Sequence, residues 1–232
     1  MKLRNLAFGA LALVLLALGG AWTLGHLMPL LTVRAAARSS PLTAAAMRPT
    51  TVELQRQLAL HPPAGGDGQG LAALIWAART GRPASIDLLA RAGVDVDARD
   101  DGPNNWRPLH HAVHKGQLAS VRALLAHGAA VDGTNPDGTT PLMLAAAQEE
   151  GGAIVEALLA AGADPRLRRP AGDSALTFAV LVGDERTIRA LLARAPDLRL
   201  EGGFRTWVGR LALRLRGRGD LVALVDGRRG RP

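Results

Sequence analysis

Between residues 70 and 200 the apolar positions fall into one recurring pattern: a short helical run, a break, a second run, and a Gly-containing loop. The unit around residues 135–165 shows it most clearly. Leu142, Ala145 and Ala146 make one apolar face, Gly151-Gly152 interrupts it, and Ile154, Val155, Leu158 and Leu159 make the next. Spacings of three and four predict two short amphipathic helices. Thr140 is placed to cap the first of them, with Pro141 at the first helical position, where its missing N–H removes nothing. Gly162 ends the second, because glycine adopts the left-handed cap conformation freely. Asp137-Gly138, like Asp101-Gly102, predicts a turn that brings the chain to the next unit.

The pattern then recurs in phase. Leu142 has counterparts at Leu109 (33 residues earlier), Leu74 (a further 35 earlier) and Leu176 (34 later). A second landmark, of the form IDLLARAGVD, begins at Ile86, Val121, Val155 and Ile188, at spacings of 35, 34 and 33. Two unrelated landmarks that share one period mark an array of supersecondary units. Each helix pair carries an apolar face that it cannot cover alone; stacked neighbours cover it, and the small Ala residues let helices approach closely. The expected fold class is an all-α repeat solenoid.

These residues resemble the ankyrin repeat family. Its T-P-L-H-x-A motif stands here as Thr140-Pro141-Leu142-Met143-Leu144-Ala145 and as Arg107-Pro108-Leu109-His110-His111-Ala112. Its G-A-D-V-N-A loop stands as Gly93-Val94-Asp95-Val96-Asp97-Ala98 and Gly128-Ala129-Ala130-Val131-Asp132-Gly133. The resemblance covers about residues 70–200 as four repeats, near 70–101, 102–135, 136–169 and 170–200. It implies an L-shaped stack of helix pairs with β-hairpin fingers, a concave groove, and binding of another protein. Three departures stand out. Arg107 replaces the capping Thr, a local cost of about 1 kcal/mol. Ala195-Pro196 stands where Gly-Ala is expected, and the first unit lacks the Thr-Pro start.

The flanks read differently. Residues 6–33 contain no Lys, Arg, Asp or Glu, and the apolar run near 6–28 is long enough for a single membrane span. A cleaved signal peptide is the alternative, with Ala35-Ala36-Ala37 as its site. Lys2 and Arg4 before the run and Arg34 and Arg38 after it give a weak positive-inside bias. That bias points to an exported remainder. The Ala-, Arg- and Gly-rich composition has a bacterial character, which makes the expected location an inner membrane with the repeats in the periplasm. Residues 1–33 are thus read as anchor or signal, and 34–69 as a linker with degenerate capping helices from Pro41. Residues 201–226 are read as a degenerate closing unit and 227–232 as a basic tail.

Charge narrows the function. Residues 69–200 carry 14 Lys/Arg against 15 Asp/Glu, so the positive excess of the chain, +8 overall, resides entirely at the two ends. A balanced centre argues against nucleic acid as the partner. The chain has no Cys, which removes disulfides and thiolate chemistry. His110, His111 and His114 invite a metal reading, but no carboxylate or Cys completes the usual set, and His110 occupies the family's structural His position. Asp95, Asp97, Asp100 and Asp101 do not have the spacing of a calcium loop. Gly65 to Gly70 lacks the Lys-Ser/Thr of a phosphate loop. No catalytic constellation can be assembled, so neither an enzyme nor a cofactor is expected. The basic helix around Arg210, Arg214, Arg216 and Arg218 has two readings, a solvated cap face or a lipid contact.

The resemblance implies where a partner would meet a monomeric array. Finger positions are Arg99, Asp100, Asn104, Asn105, Trp106, Asn135, Asp137, Arg168, Arg169 and Asp173. Groove positions are Arg79, Thr80, His114, Lys115, Gln148, Glu149 and Leu181. Trp106 lies in the longest finger and reads either as an interface anchor or as a ring folded on its own finger. Trp76 is in register with Leu144 and Phe178 and is expected in the core; Trp207 is expected to pack in the closing unit.

Overall fold

The computed structural model describes residues 40–63, 68–200, 204–215 and 217–226. The anchor or signal reading of residues 1–33, residues 64–67 of the Gly-rich linker and the basic tail 227–232 lie outside these. Among the described residues no helix is long and apolar enough to cross a membrane.

Among the described residues twelve helices form six pairs. They are α1 (Pro41–Ala46) with α2 (Val52–Leu60), α3 (Gln69–Arg79) with α4 (Pro83–Arg91), and α5 (Pro108–His114) with α6 (Leu118–Ala126). The chain continues with α7 (Pro141–Ala146) and α8 (Gly152–Ala160), α9 (Ala175–Val182) and α10 (Glu185–Arg194), then α11 (Phe204–Leu215) and α12 (Gly219–Val225). Each first helix packs on the first helix of the next pair, and each second helix on the next second helix. The result is two parallel rows, the arrangement that a repeated apolar face requires. The pairs α1–α2 and α11–α12 extend both rows beyond the four units of residues 70–200.

The periodic columns are the core. Leu74, Leu109, Leu142 and Leu176 are buried, as are Ile86, Val121, Val155 and Ile188, and Leu89, Leu124, Leu158 and Leu191. Burying one such side chain contributes about 1.5–3 kcal/mol. Ala77, Ala112, Ala145 and Ala179 form the small column that brings the first helices together.

Local chemistry sets the helix ends. Pro41, Pro83, Pro108 and Pro141 open their helices. Thr140 accepts a hydrogen bond from the Met143 amide at 3.2 Å, and Ser174 with Thr177 makes a full capping box. Arg107 makes no side-chain cap. Its Nη1 instead donates to the Asp97 carbonyl at 2.8 Å. The second helices of three units end at Gly93, Gly128 and Gly162, with φ of 89°, 83° and 95°. α10 ends without one, at Ala195 with φ −139°, as the Ala-Pro departure predicts. Carboxylates stitch unit to unit: Asp97 accepts from the Ala130 amide at 3.0 Å, and Asp132 from the Asp164 amide at 3.1 Å.

Two expectations about tryptophan change. Trp76 is half-buried, not core, as are Leu144 and Phe178 in the same register, because this column lies at the edge of the first-helix row; its ring faces the Arg79 guanidinium at 5.0 Å. Trp207 is exposed at 58%, because α11 turns Thr206, Gly209 and Leu213 inward instead. A Cβ at Gly209 would lie 2.8 Å from Val180 of α9, so the closest approach falls on that face and Trp207 stands away from it.

Candidate finger and groove surface

The fingers at residues 99–107, 134–140 and 168–174 are tight turns, each closed by a backbone hydrogen bond. Asp100 N–H donates to Trp106 O at 2.9 Å, Asn135 to Thr139 at 3.2 Å, and Arg169 to Asp173 at 2.9 Å. Among the described residues there is no extended strand and one antiparallel bridge, Arg168 with Ser174. The expected β-hairpins are therefore shortened to their turns, because only a few residues separate the turn from the helix that follows.

The first finger is built around Asp100. Its Oδ1 accepts from the Trp106 amide at 2.8 Å and the Gly102 amide at 3.2 Å, and its Oδ2 meets His111 Nε2 at 2.7 Å. Asn105 takes a left-handed φ of 47° and donates to the Asp100 carbonyl at 2.8 Å. Asn, whose short polar side chain bonds locally, tolerates that conformation better than most residues. Arg99 is exposed and donates to Asn105 Oδ1 at 3.1 Å; Asn104 is exposed. Trp106 is half-buried and folds back on α5. Its ring stacks on His110 at 6.3 Å and meets His111 at 5.3 Å and His114 at 5.0 Å edge-on.

From the other side, Arg79 Nη1 lies 3.3 Å from His111 Nδ1. An arginine only donates, so His111 accepts there and donates from Nε2 to Asp100, the neutral tautomer. Burial is the main cause that lowers the His111 and His114 pKa values. His110 is fully enclosed, and burial pushes its pKa down to about 4. Its Nε2 bonds the Thr139 carbonyl of the next finger at 3.2 Å. His110 and His111 thus have hydrogen-bond partners of their own and His114 packs edge-on against Trp106, and among the described residues no group of three or more His, Cys, Asp or Glu side chains is placed to hold a metal ion.

The structure brings Arg79, Asp100, Trp106, His114 and Lys115 together around His111. Lys115 is exposed; burial of its stem lowers its pKa first and the Arg79 charge lowers it further. Other candidates lie elsewhere. Thr80 Oγ1 bonds the Trp76 carbonyl at 2.7 Å and finishes α3, while Gln148 Nε2 donates to the Val113 carbonyl at 2.9 Å. Glu149 and Asp137 are exposed, and Leu181 is half-buried. Arg169 Nε donates to the Asp137 carbonyl at 3.3 Å, and Arg168 Nη1 to the Gly172 carbonyl at 3.1 Å. Asn135 and Asp173 are corrections: both are buried. Asn135 Oδ1 accepts from the Thr139 amide at 2.8 Å, and Asp173 lies 4.0 Å from Arg169, so both hold turns and offer no surface.

Sequence reasoning missed His111 and Trp76 as members of this face. The repeat register holds the signal. His111 aligns with Trp76, Leu144 and Phe178, and His114 with Arg79, Ala147 and Leu181. The face is therefore aromatic and cationic over α3 and α5, and apolar over α7 and α9.

The profile of the family described as Ankyrin repeats (3 copies) matches residues 74–169. The chain is 40% identical over 82 residues to protein phosphatase 1 regulatory subunit 27 of Homo sapiens, covering 35% of this chain and 48% of that protein. It is 39% identical over 103 residues to the nuclear factor NF-kappa-B p105 subunit of Gallus gallus, 44% of this chain and 10% of the relative. It is 37% identical over 116 residues to a putative ankyrin repeat-containing protein of Treponema pallidum, 50% of this chain and 38% of the relative. The chain spans half or less of each of these relatives. The register, the stitched loops and these matches agree: residues 74–169 carry ankyrin repeats.

Proposed function

We propose that the chain is a non-enzymatic adaptor that binds another protein through the finger-side face of its first-helix row. Ankyrin repeats are protein–protein interaction modules, and two of the similar proteins are by name subunits, one of them regulatory. The observation that carries the reading is the cluster of Trp106, Trp76 and Arg79 at the base of the first finger. Aromatic and arginine side chains dominate binding hot spots. The flanking pairs α1–α2 and α11–α12 act as caps, and residues 1–33 tether the array to an inner membrane with the repeats facing the periplasm. What supports the tether is the uncharged run of residues 6–33. Cleavage to a soluble exported form is the second version of this location.

A lipid-docking role for the basic C-terminal helix has weaker support. Arg210 pairs with Asp226 at 2.7 Å, and Arg218 pairs with Glu185 and with Asp220, which leaves less charge for a membrane.

A photo-cross-linking amino acid at Lys115, and separately at Glu156 on α8, tests the function in cells of the source. Cross-linking to a defined protein from Lys115 only is the expected outcome. Capture from Glu156 only would place the binding face on the second-helix row and refute the reading.

A further inference from the structure

The cationic end of the face is electrostatically incomplete. Arg79 and Lys115 lie at the C-terminal ends of α3 and α5 on either side of His111: Arg79 Nη1 is 3.3 Å from its Nδ1, the Lys115 amide donates to its carbonyl at 3.1 Å, and the charge of Arg79 disfavours that of Lys115. The dipole at a helix C-terminus accounts for one cation at each place. It does not account for two that repel, beside two indoles. Among the described residues neither pairs with a carboxylate, and the Arg79 Nε is buried without a hydrogen-bond partner. Asp100, whose charge does reach Arg79, is already committed to His111 at 2.7 Å and to two finger amides. At the other end, Leu144 and Phe178 are only partly covered by the core they pack on.

Taking the finger-side face as the binding surface, the geometry points to an acidic protein segment as its occupant: a Glu or Asp carboxylate between Arg79 and Lys115, and an apolar side chain on Leu144 and Phe178. The carboxylate separates the two cations and supplies the missing charge-assisted bonds. Trp76 and Trp106 wall that site and exclude water, which strengthens it. Successive helices in a packed row lie about 8–10 Å apart. Two steps along the row are therefore about 20 Å, which an extended segment of about six residues spans at about 3.3 Å each. The occupant is defined by that separation as much as by its charge.

The probe is a fluorescent peptide with two glutamates at one end, Leu-Phe at the other, and a Ser/Gly spacer of about five residues set by that span. It is titrated against the full chain in nonionic detergent. The Glu peptide is expected to bind about tenfold tighter than its Gln counterpart. The preference shrinks as salt rises. It disappears in Arg79→Gln/Lys115→Gln; Lys115→Gln alone, at an exposed position, halves it or more and guards against a folding defect in the double variant. Equal binding of the Gln peptide, a preference retained in the double variant, or full displacement by inorganic phosphate would overturn the inference. If Lys115 still cross-links a protein in cells while the Glu peptide shows no preference, the acidic chemistry fails and the binding face stands. If both fail, the functional reading fails with it.

Discussion

The fingers on either side of the second unit are fastened in opposite ways. The finger at 134–140 is closed by its own Asn135, capped by Thr140, and pinned from behind by His110 of the preceding unit. The finger at 99–107 is likewise closed by its own side chain, Asp100, but has neither the cap nor the pin from behind. Ile75 stands where a histidine would reach it from behind, and Arg107 stands at the cap. It is fastened from in front, by His111 on Asp100. Two adjacent residues of α5 therefore serve opposite neighbours. The difference teaches that the repeat conserves a function, the anchoring of each finger, and lets different residues perform it. The substitute anchor is more exposed and brings aromatic and cationic groups to the surface, which is where the binding site is proposed.

The largest effect is expected at His110. Removing its buried ring leaves a cavity and an unpaired Thr139 carbonyl, a loss of about 2–4 kcal/mol in urea unfolding for His110→Ala. Acid should act through the same group. Its folded pKa of about 4 lies below the ordinary 6.5, so the unfolded chain takes up the proton first. Its contribution is whole above about pH 6.5 and is lost as pH falls towards 4, on the order of 2–3 kcal/mol across the window. His110→Gln should flatten this slope without abolishing it, because His111 and His114 are shifted in the same direction.

A smaller loss, about 1–3 kcal/mol, is expected for Asp100→Ala, which leaves the Trp106 amide and His111 without their acceptor. Tryptophan emission should shift to longer wavelength as Trp106 leaves the histidines. Thr140→Ala should cost about 1 kcal/mol by thermal melting, since one cap is lost. Arg107→Thr should change stability by less than about 0.5 kcal/mol, because the cap gained offsets the lost bond to Asp97. A large gain there would mean that the first finger does suffer for its missing cap.

Much of the fold was legible in the sequence because it is periodic. The Leu74-to-Leu176 column, the Pro and Thr starts and the Gly ends recur in phase, and each is a local rule. The aberrant end of α10 followed from Ala195-Pro196 alone. The site was less legible. His111 and Asp100 are 11 residues apart, on a helix and a finger, and no local rule pairs them. Asn135 and Asp173 looked like solvent-facing turn residues, yet both fold inward, Asn135 onto the Thr139 amide and Asp173 beside Arg169. Trp207 could not be placed because its neighbour is not a regular unit: Gly209 decides which face of α11 packs. Trp76 matched an apolar column, but that column, with Leu144 and Phe178, is itself only partly covered.

The opposed anchoring of the two fingers is best tested by amide hydrogen exchange on the full chain, comparing His110→Ala with His111→Ala. Faster exchange confined to the Thr139 and Asn135 amides in the first variant, and to the Trp106 and Asp100 amides in the second, is the predicted result. If both substitutions loosen the same finger, or neither loosens any, the account of how this array holds and presents its surface is contradicted.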